Sequence, residues 1–133
     1  MSLKEKMLNY LAAVKEDFPA AMAMTADDVV WINLLPENVP FGGTYQGHEG
    51  LVEYFQQLAA SFVIGDYPIE EFDFIETEDT LVMVGYEKDA LALPTDVRFD
   101  LHFVWVVKFD AEGLICYLRE HNDTAAIGAA FAA

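Results

Sequence analysis

The chain begins with hydrophobic residues at helical spacing. Apolar side chains recur every three or four positions and would share one helix face: Leu3, Met7, Leu11, Val14 and Phe18. Pro19 limits this helix, and the Ala- and Met-rich segment 20–26 favours a second short helical turn. A third helix is predicted over 47–62, since a second stripe runs along it: Leu51, Phe55, Leu58 and Phe62.

The other apolar segments have the pattern of β-strands. Asp27-Asp28 precedes a run rich in β-branched residues, which predicts a strand over 29–35. From residue 69 the apolar period is two, and strands are predicted over 69–77, 81–91, 97–109 and 114–122. Turn-forming residues separate the later strands. Asp123 precedes a short alanine-rich segment and is predicted to cap its helix, in preference to lying in a pocket.

The order of these elements is helices, strand, helix, then an antiparallel meander, which defines an α+β domain rather than a βαβ repeat. One domain is expected over 1–133. The long strands are apolar on both faces, since His102, Val104 and Val106 alternate with Leu101, Phe103 and Trp105. A sheet covered by helices on one face would need a second subunit on the other, so a homodimer through the sheet is expected.

Composition narrows the range of functions. A 133-residue chain that is 54% hydrophobic is long and apolar enough to bury a core. Seven basic residues against 23 acidic ones give a formal charge of −16, which argues against nucleic acid and membrane partners. Cys116 is the only cysteine, so neither a disulfide nor a multi-cysteine zinc site is expected. Without a visible signal peptide or membrane span, a cytoplasmic location is expected.

Four segments carry a resemblance to a known superfamily. They are Asp27-Asp28-Val29-Val30-Trp31, Pro40 to Gly47 followed by Tyr54-Phe55, Glu112-Gly113-Leu114-Ile115, and Arg119 to Thr124. Their order and spacing resemble the nuclear transport factor 2-like (NTF2-like) superfamily, and within it the SnoaL-like and ketosteroid isomerase-like proteins. The resemblance implies a cone-shaped, curved antiparallel sheet. N-terminal and central helices would wrap it around a deep apolar pocket, in a protein that is usually a dimer.

A further resemblance concerns limonene-1,2-epoxide hydrolases. Trp31-Ile32-Asn33-Leu34-Leu35-Pro36 is similar to their Tyr-x-Asn-x-Pro stretch, with one residue more before the proline. There a Tyr, an Asn and an Asp hold the attacking water. Here Asn33 is kept, Trp31 replaces the Tyr, and Glu120 replaces the Asp. In that family an Arg and a second Asp protonate the leaving oxygen. Tyr86 and Lys88 fall at those positions here, so this proton-donating part of the epoxide-opening mechanism is missing.

Glu120 is the first candidate for catalysis. A carboxyl group facing an apolar pocket acquires a raised pKa and becomes a usable general base or acid. The alternative is an outward Glu120 in solvent, and a one-residue shift of the strand decides between the two. Asn33, His102 and Tyr86 are the further catalytic candidates, for positioning oxygen atoms. A core or interface role is the alternative for His102.

The predicted substrate-binding residues are mostly apolar side chains of the same elements: Trp31, Phe55, Phe62, Phe74, Lys88, Val104 and Leu118. No two histidines have ligand spacing on one element, so no metal is expected. The glycines at 42–47 match no nucleotide-binding motif, and no cofactor is expected. These features favour a small cofactor-independent isomerase, hydrolase or cyclase acting on an apolar carbonyl, epoxide or polycyclic compound. The alternative is a non-catalytic small-molecule-binding or dimerisation module.

Overall fold

A computed structural model describes residues 1–133 and contains four α-helices and seven strands. The helices are α1 (Leu3–Glu16), α2 (Phe18–Ala23), α3 (Gly47–Ser61) and α4 (Thr124–Ala132). The strands are β1 (Thr25–Leu34), β2 (Gly43–Gln46), β3 (Phe62–Val63), β4 (Asp73–Glu76), β5 (Thr80–Ala92), β6 (Val97–Phe109) and β7 (Ile115–Asn122). The mixed α+β architecture agrees with the fold class expected from the sequence.

All seven strands form one strongly curled sheet in the order β2-β1-β7-β6-β5-β3, with β4 also paired to β5. β5, β6 and β7 are the antiparallel meander predicted from the period of two. The first strand differs from that pattern, because β1 pairs with β7 in parallel. The helices pack against the concave side, and the core lies between them and the sheet.

Local capping fixes the helix that closes one side of this core. Ser2 and Glu5 form a capping box at the start of α1, and the carboxylate of Glu76 on β4 accepts the next free amides, those of Leu3 and Lys4. Asp17 ends α1 and caps α2. The predicted cap at Asp123 is confirmed, since its Oδ1 accepts from the amide of Ala126 at 3.2 Å.

The short elements differ most from expectation. β2 and β3 contain four and two residues and were not predicted, because so few positions show no period. The strand predicted over 69–77 begins as a 3-10 turn at Ile69–Glu71 and is extended only from Asp73. The long helices and strands agree with their predictions to within a few residues at each end.

The outer, convex face of the sheet carries aliphatic side chains that no element of this chain covers. Half-buried residues of this face come from three strands, β1, β5 and β6: Val30, Ile32, Val82, Val84, Val104 and Val106. At its margins Leu34 is 42% and Ile75 is 59% exposed. Such a face is typical of sheets that pack against a second layer.

The homodimer expected from the sequence stays a prediction, and this face defines its test. At micromolar concentration, sedimentation velocity should give the mass of a dimer. Val104→Glu should give a monomer, because an interface would bury the new charge without a partner. Glu112→Gln, on an exposed turn, serves as the control. A wild-type chain that sediments as a monomer would contradict the expectation.

Candidate functional site

A cavity of about 110 Å³ lies between the concave face of the sheet, α1 and α3. Sixteen of its 21 lining residues are hydrophobic. Ten of the lining residues are aromatic: Tyr10, Trp31, Phe41, Tyr54, Phe55, Phe62, Tyr67, Phe72, Phe103 and Trp105. Glu87, Glu120, Asn33, Asn122 and Lys15 are the polar exceptions. An apolar enclosure with a few convergent polar groups is the usual form of a small-molecule site.

Glu120 is the central polar group of this cavity. Its side chain points inward from β7 and is 5% exposed. Oε2 accepts two hydrogen bonds, from Trp31 Nε1 at 2.9 Å and from the Tyr54 hydroxyl at 3.0 Å. Oε1 has no protein partner. One oxygen therefore holds the carboxyl group in place, and the other is free to meet a ligand.

A chain of hydrogen bonds supports this arrangement. Asn33 Nδ2 donates to the Tyr54 hydroxyl at 3.1 Å, and Asn122 Nδ2 donates to Asn33 Oδ1 at 2.8 Å. The Tyr54 oxygen thus accepts from Asn33 while its O–H is directed to Glu120. The chain joins β1, α3 and β7, so the orientation of Glu120 is set by three separate elements.

Burial controls the ionisation of Glu120. Removal from water raises its pKa from 4.5 to about 7, although the hydrogen bonds from Trp31 and Tyr54 act in the opposite direction. The charge of Glu87 adds a smaller upward contribution. Near neutral pH this carboxyl group is therefore present in both forms, as proton transfer in either direction requires.

Glu87 is a second buried carboxyl group in the cavity. It projects inward from β5, is 8% exposed, and accepts a hydrogen bond from the amide of Gly65 at 3.0 Å. Burial raises its pKa from 4.5 to about 7, against the lowering effect of the Gly65 amide. No lysine, arginine or histidine forms an ion pair with either carboxyl group.

Two hydrogen-bond donors in the cavity wall have no partner. The Tyr10 hydroxyl and Trp105 Nε1 are both buried and make no hydrogen bond. Burial raises the pKa of Tyr10 far above its usual value, and nearby Glu120 contributes to the rise, so the phenol stays protonated. Trp105 lies directly opposite Glu120 on the neighbouring strand. The cavity thus presents a carboxyl oxygen and two unused donors in one region.

Five of the residues predicted to form the site line the cavity together: Glu120, Asn33, Trp31, Phe55 and Phe62. Their common position follows from strand parity and helix period. Trp31 and Asn33 are inward positions of β1, and they pair with Leu118 and Glu120 of β7. Phe55 lies on the buried side of α3, and its ring meets that of Trp31 edge-on at 5.8 Å.

His102, Tyr86 and Val104 were wrongly placed in the pocket. The inward residues of β6 are Leu101, Phe103 and Trp105, so the even-numbered residues lie on the outer face. There the rings of Tyr86 and His102 stack at 5.3 Å. Both faces of β6 are apolar in sequence, and period alone therefore could not distinguish them.

Three further predicted lining residues also lie outside the cavity. Lys88 is exposed on β5, where its backbone pairs with that of Asp66. Phe74 packs beneath the ammonium group of Lys4 at 4.7 Å. Leu118 shares the face of Glu120 but is fully buried in the core.

Sequence reasoning missed Tyr54, Glu87, Tyr10 and Trp105 as polar members of the site. Tyr54 stands next to Phe55, and Tyr10 next to Leu11, so each was hidden beside an apolar helical stripe. Glu87 lies on the same, inward face of β5 as Met83 and Gly85, and this period of two was the one sequence signal that could have identified it.

No group of three or more metal-ligating side chains comes together in the structure. No helix is both long and apolar enough to cross a membrane.

The curled sheet, its helices and the enclosed cavity define the NTF2-like class. An NTF2-like protein from Burkholderia xenovorans superposes with a TM-score of 0.85 at 24% identity, over 97% of this chain and 95% of that one. An NTF2-like protein of unknown function from Burkholderia pseudomallei gives 0.80 at 25% identity, over the full length of both chains. TerC, co-crystallised with polyporic acid, gives 0.76 at 21% identity over 98% of each chain.

The family follows from the sequence match. A family model described as a SnoaL-like domain matches residues 5–118, and the chain belongs to that family. Comparison with curated proteins found no match. The matched region includes Tyr10, Trp31, Tyr54 and Glu87 and ends two residues before Glu120.

Stability should depend on pH through the two buried carboxyl groups. Their folded pKa values, about 7, exceed the unfolded value near 4.5, so their stabilising contribution is complete below pH 4.5 and lost as the pH rises through 7. The free energy of unfolding should fall over this range by up to about 3 kcal/mol per carboxyl group.

Urea unfolding at a series of pH values measures this dependence. Glu120→Gln and Glu87→Gln should each reduce its slope, because an amide has no proton to lose. Glu112→Gln, on an exposed turn, should leave the slope unchanged. A Glu120→Gln variant that retains the wild-type slope would contradict burial as the cause.

Proposed function

We propose that the chain is a small cofactor-independent enzyme, of isomerase, hydrolase or cyclase type, that acts on an apolar carbonyl, epoxide or polycyclic compound. The observation that carries this proposal is Glu120, a buried carboxyl group fixed through one oxygen in an apolar cavity. Glu120 moves the proton, and the apolar wall holds the carbon skeleton. Asn33 acts through Tyr54 as a positioning residue.

The free oxygen of Glu120 supports a role as general base. A carboxylate with a pKa of about 7 is more basic than one in water and is still ionised in a substantial fraction at neutral pH. Oε1 removes a proton from substrate carbon or from water, and Oε2 stays bound to Trp31 and Tyr54. Protonated Glu120 then returns the proton to another atom of the product.

The unpartnered donors support a substrate oxygen beside Glu120. A buried N–H or O–H without a partner costs on the order of 1–3 kcal/mol, and a carbonyl or epoxide oxygen is an acceptor for such a donor. Donors aimed at an oxygen that gains negative charge stabilise the transition state more than the ground state. Tyr10 and Trp105 therefore take the oxygen-binding role that the sequence assigned to Tyr86 and His102.

TerC offers a comparison at the level of the fold. That protein was co-crystallised with polyporic acid, and its structure covers nearly the whole of this chain. At 21% identity the likeness concerns the fold. The choice of apolar oxygenated compounds as the substrate class rests on the cavity of this chain.

Glu120→Gln tests the proton-transfer role directly. With a substrate found in a panel of enones and epoxides, kcat should fall about 10²–10⁴-fold, since that is the usual contribution of general acid/base catalysis. As a base, wild-type Glu120 should give a kcat/KM that rises with pH through about 7 and then levels off. The variant should lack this limb, and Glu112→Gln should match wild type. Full activity of Glu120→Gln would refute the role.

Tyr10→Phe and Trp105→Phe test the oxygen-binding donors. Each variant keeps a ring in the cavity wall and removes one donor, so kcat should fall about tenfold or more while KM changes less. Tyr86→Phe, which removes a phenol from the outer face, is the matched control and should be unaffected. Equal effects of Tyr10→Phe and Tyr86→Phe would argue against a role for Tyr10 in the reaction.

A non-catalytic binding module is the second candidate, and one observation favours it. The Asn33 amide group is already bonded to Tyr54 and Asn122, so its contacts are satisfied within the protein. It does not need a water molecule of the kind that epoxide hydrolases activate. A binding module would show saturable affinity for members of the same panel and no turnover at any pH, which separates it from the enzyme.

A further inference from the structure

A β-bulge in β5 directly follows Glu87. β5 and β6 pair regularly up to Glu87 and Leu101 and again from Ala90 and Phe99, so two residues of β5 lie opposite one of β6. Asp89, one of the two, has a φ of 59°, and its amide donates to Asp100 at 3.1 Å. Glu87 faces inward by the regular alternation of β5, and the bulge turns Ala90 inward as well. Bulges of this kind often redirect a side chain next to a functional site.

Gly65 holds the Glu87 carboxyl group from one side. Its amide donates to Oε1 at 3.0 Å. The segment is fixed to β5, because Asp66 and Lys88 exchange backbone hydrogen bonds of 2.9 and 2.8 Å. A Cβ at position 65 would lie 2.1 Å from the carbonyl oxygen of Lys88, so only glycine permits this approach. The second oxygen of Glu87 has no protein partner.

The Gly65 hydrogen bond does not by itself require a carboxylate. An amide oxygen could accept it equally well, whereas a buried carboxyl group without a cation carries a desolvation penalty. The property that distinguishes Glu87 from an amide is its second acceptor oxygen. That oxygen belongs to a cavity-lining side chain and is available to a hydrogen-bond donor inside the cavity.

We propose that Glu87 is a second ligand-binding residue, which accepts a hydrogen bond from a hydroxyl or amine group at the end of the ligand remote from Glu120. Glu87 and Glu120 lie opposite Leu101 and Trp105 of β6, four residues apart, which is about 13 Å along an extended strand. The ligand is therefore elongated, with an acceptor at one end and a donor at the other. The position of the ligand's acceptor end, beside Glu120, rests on the proposed function.

A pair of probes isolates the donor. Para-hydroxymethylacetophenone carries a carbonyl oxygen and a hydroxyl group at opposite ends of one ring, and para-ethylacetophenone has the same length without the hydroxyl. The two tryptophans of the chain, Trp31 and Trp105, both line the cavity, so their indole N–H signals in heteronuclear NMR spectra report binding. The titrations are made above neutral pH, where Glu87 is ionised.

Wild type should bind the hydroxymethyl probe about tenfold more tightly than the ethyl probe, as expected for a hydrogen bond to a charged acceptor. In Glu87→Gln, which can keep the Gly65 hydrogen bond, the two affinities should become equal through loss on the hydroxymethyl probe alone. A wild type without preference, or a preference that survives in Glu87→Gln, would overturn the assignment. So would the absence of any indole shift with both probes at millimolar concentration.

Two comparisons between variants distinguish ligand binding by Glu87 from catalysis by Glu120 and from a structural role of Glu87. Glu120→Gln should retain the preference for the hydroxymethyl probe, because Glu87 is unchanged in it. A wild-type protein that shows this preference but no turnover would refute the proposed enzyme and leave the role of Glu87 intact. A purely structural Glu87 would leave the preference intact in Glu87→Gln. The melting temperature of Glu87→Gln, measured beside wild type, verifies that the variant is folded.

Discussion

The carboxyl group of Glu120, buried and bound by Trp31 and Tyr54, is the interaction on which the rest of the site depends. A buried carboxyl group is unfavourable unless donors reach it, and these donors come from β1 and α3. The first strand, the long helix and the last strand must therefore meet at one point. The two hydrogen bonds fall on the same oxygen, which keeps the group ordered and leaves its other oxygen reactive.

The cavity around Glu120 is polar at a few places and apolar elsewhere, and both properties follow from the alternation of strand residues. Inward positions of β6 supply Leu101, Phe103 and Trp105, and the outward ones supply the face on which a partner subunit is expected. The alternation of β5 continues through Glu87 and changes at the bulge that directly follows it. Regular alternation thus places both carboxyl groups, Glu87 and Glu120, on the inner wall.

Periodicity was sufficient for the long elements and insufficient for side-chain direction. α1, α3 and the meander were predictable because their apolar residues recur over many positions. The inward direction of β6 was not, since Val104 and Trp105 are both apolar and a strand has two such faces. Tyr54 was missed because only the tertiary structure makes it a hydrogen-bond partner of Glu120, and Tyr10 because only the tertiary structure brings it near that carboxyl group. Glu120 itself was identified through the resemblance to epoxide hydrolases, in which an Asp stands at its position.

The parallel pairing of β1 with β7 has a consequence for how the chain folds. Trp31 and Glu120 are 89 residues apart in sequence, yet their side chains are hydrogen-bonded. Contacts between distant segments form slowly, because a long loop must close before they contribute. During synthesis the first strand therefore waits for the last one to leave the ribosome, with the edge that pairs with β7 left open. Chains truncated before β7 should consequently be prone to aggregation and to capture by chaperones.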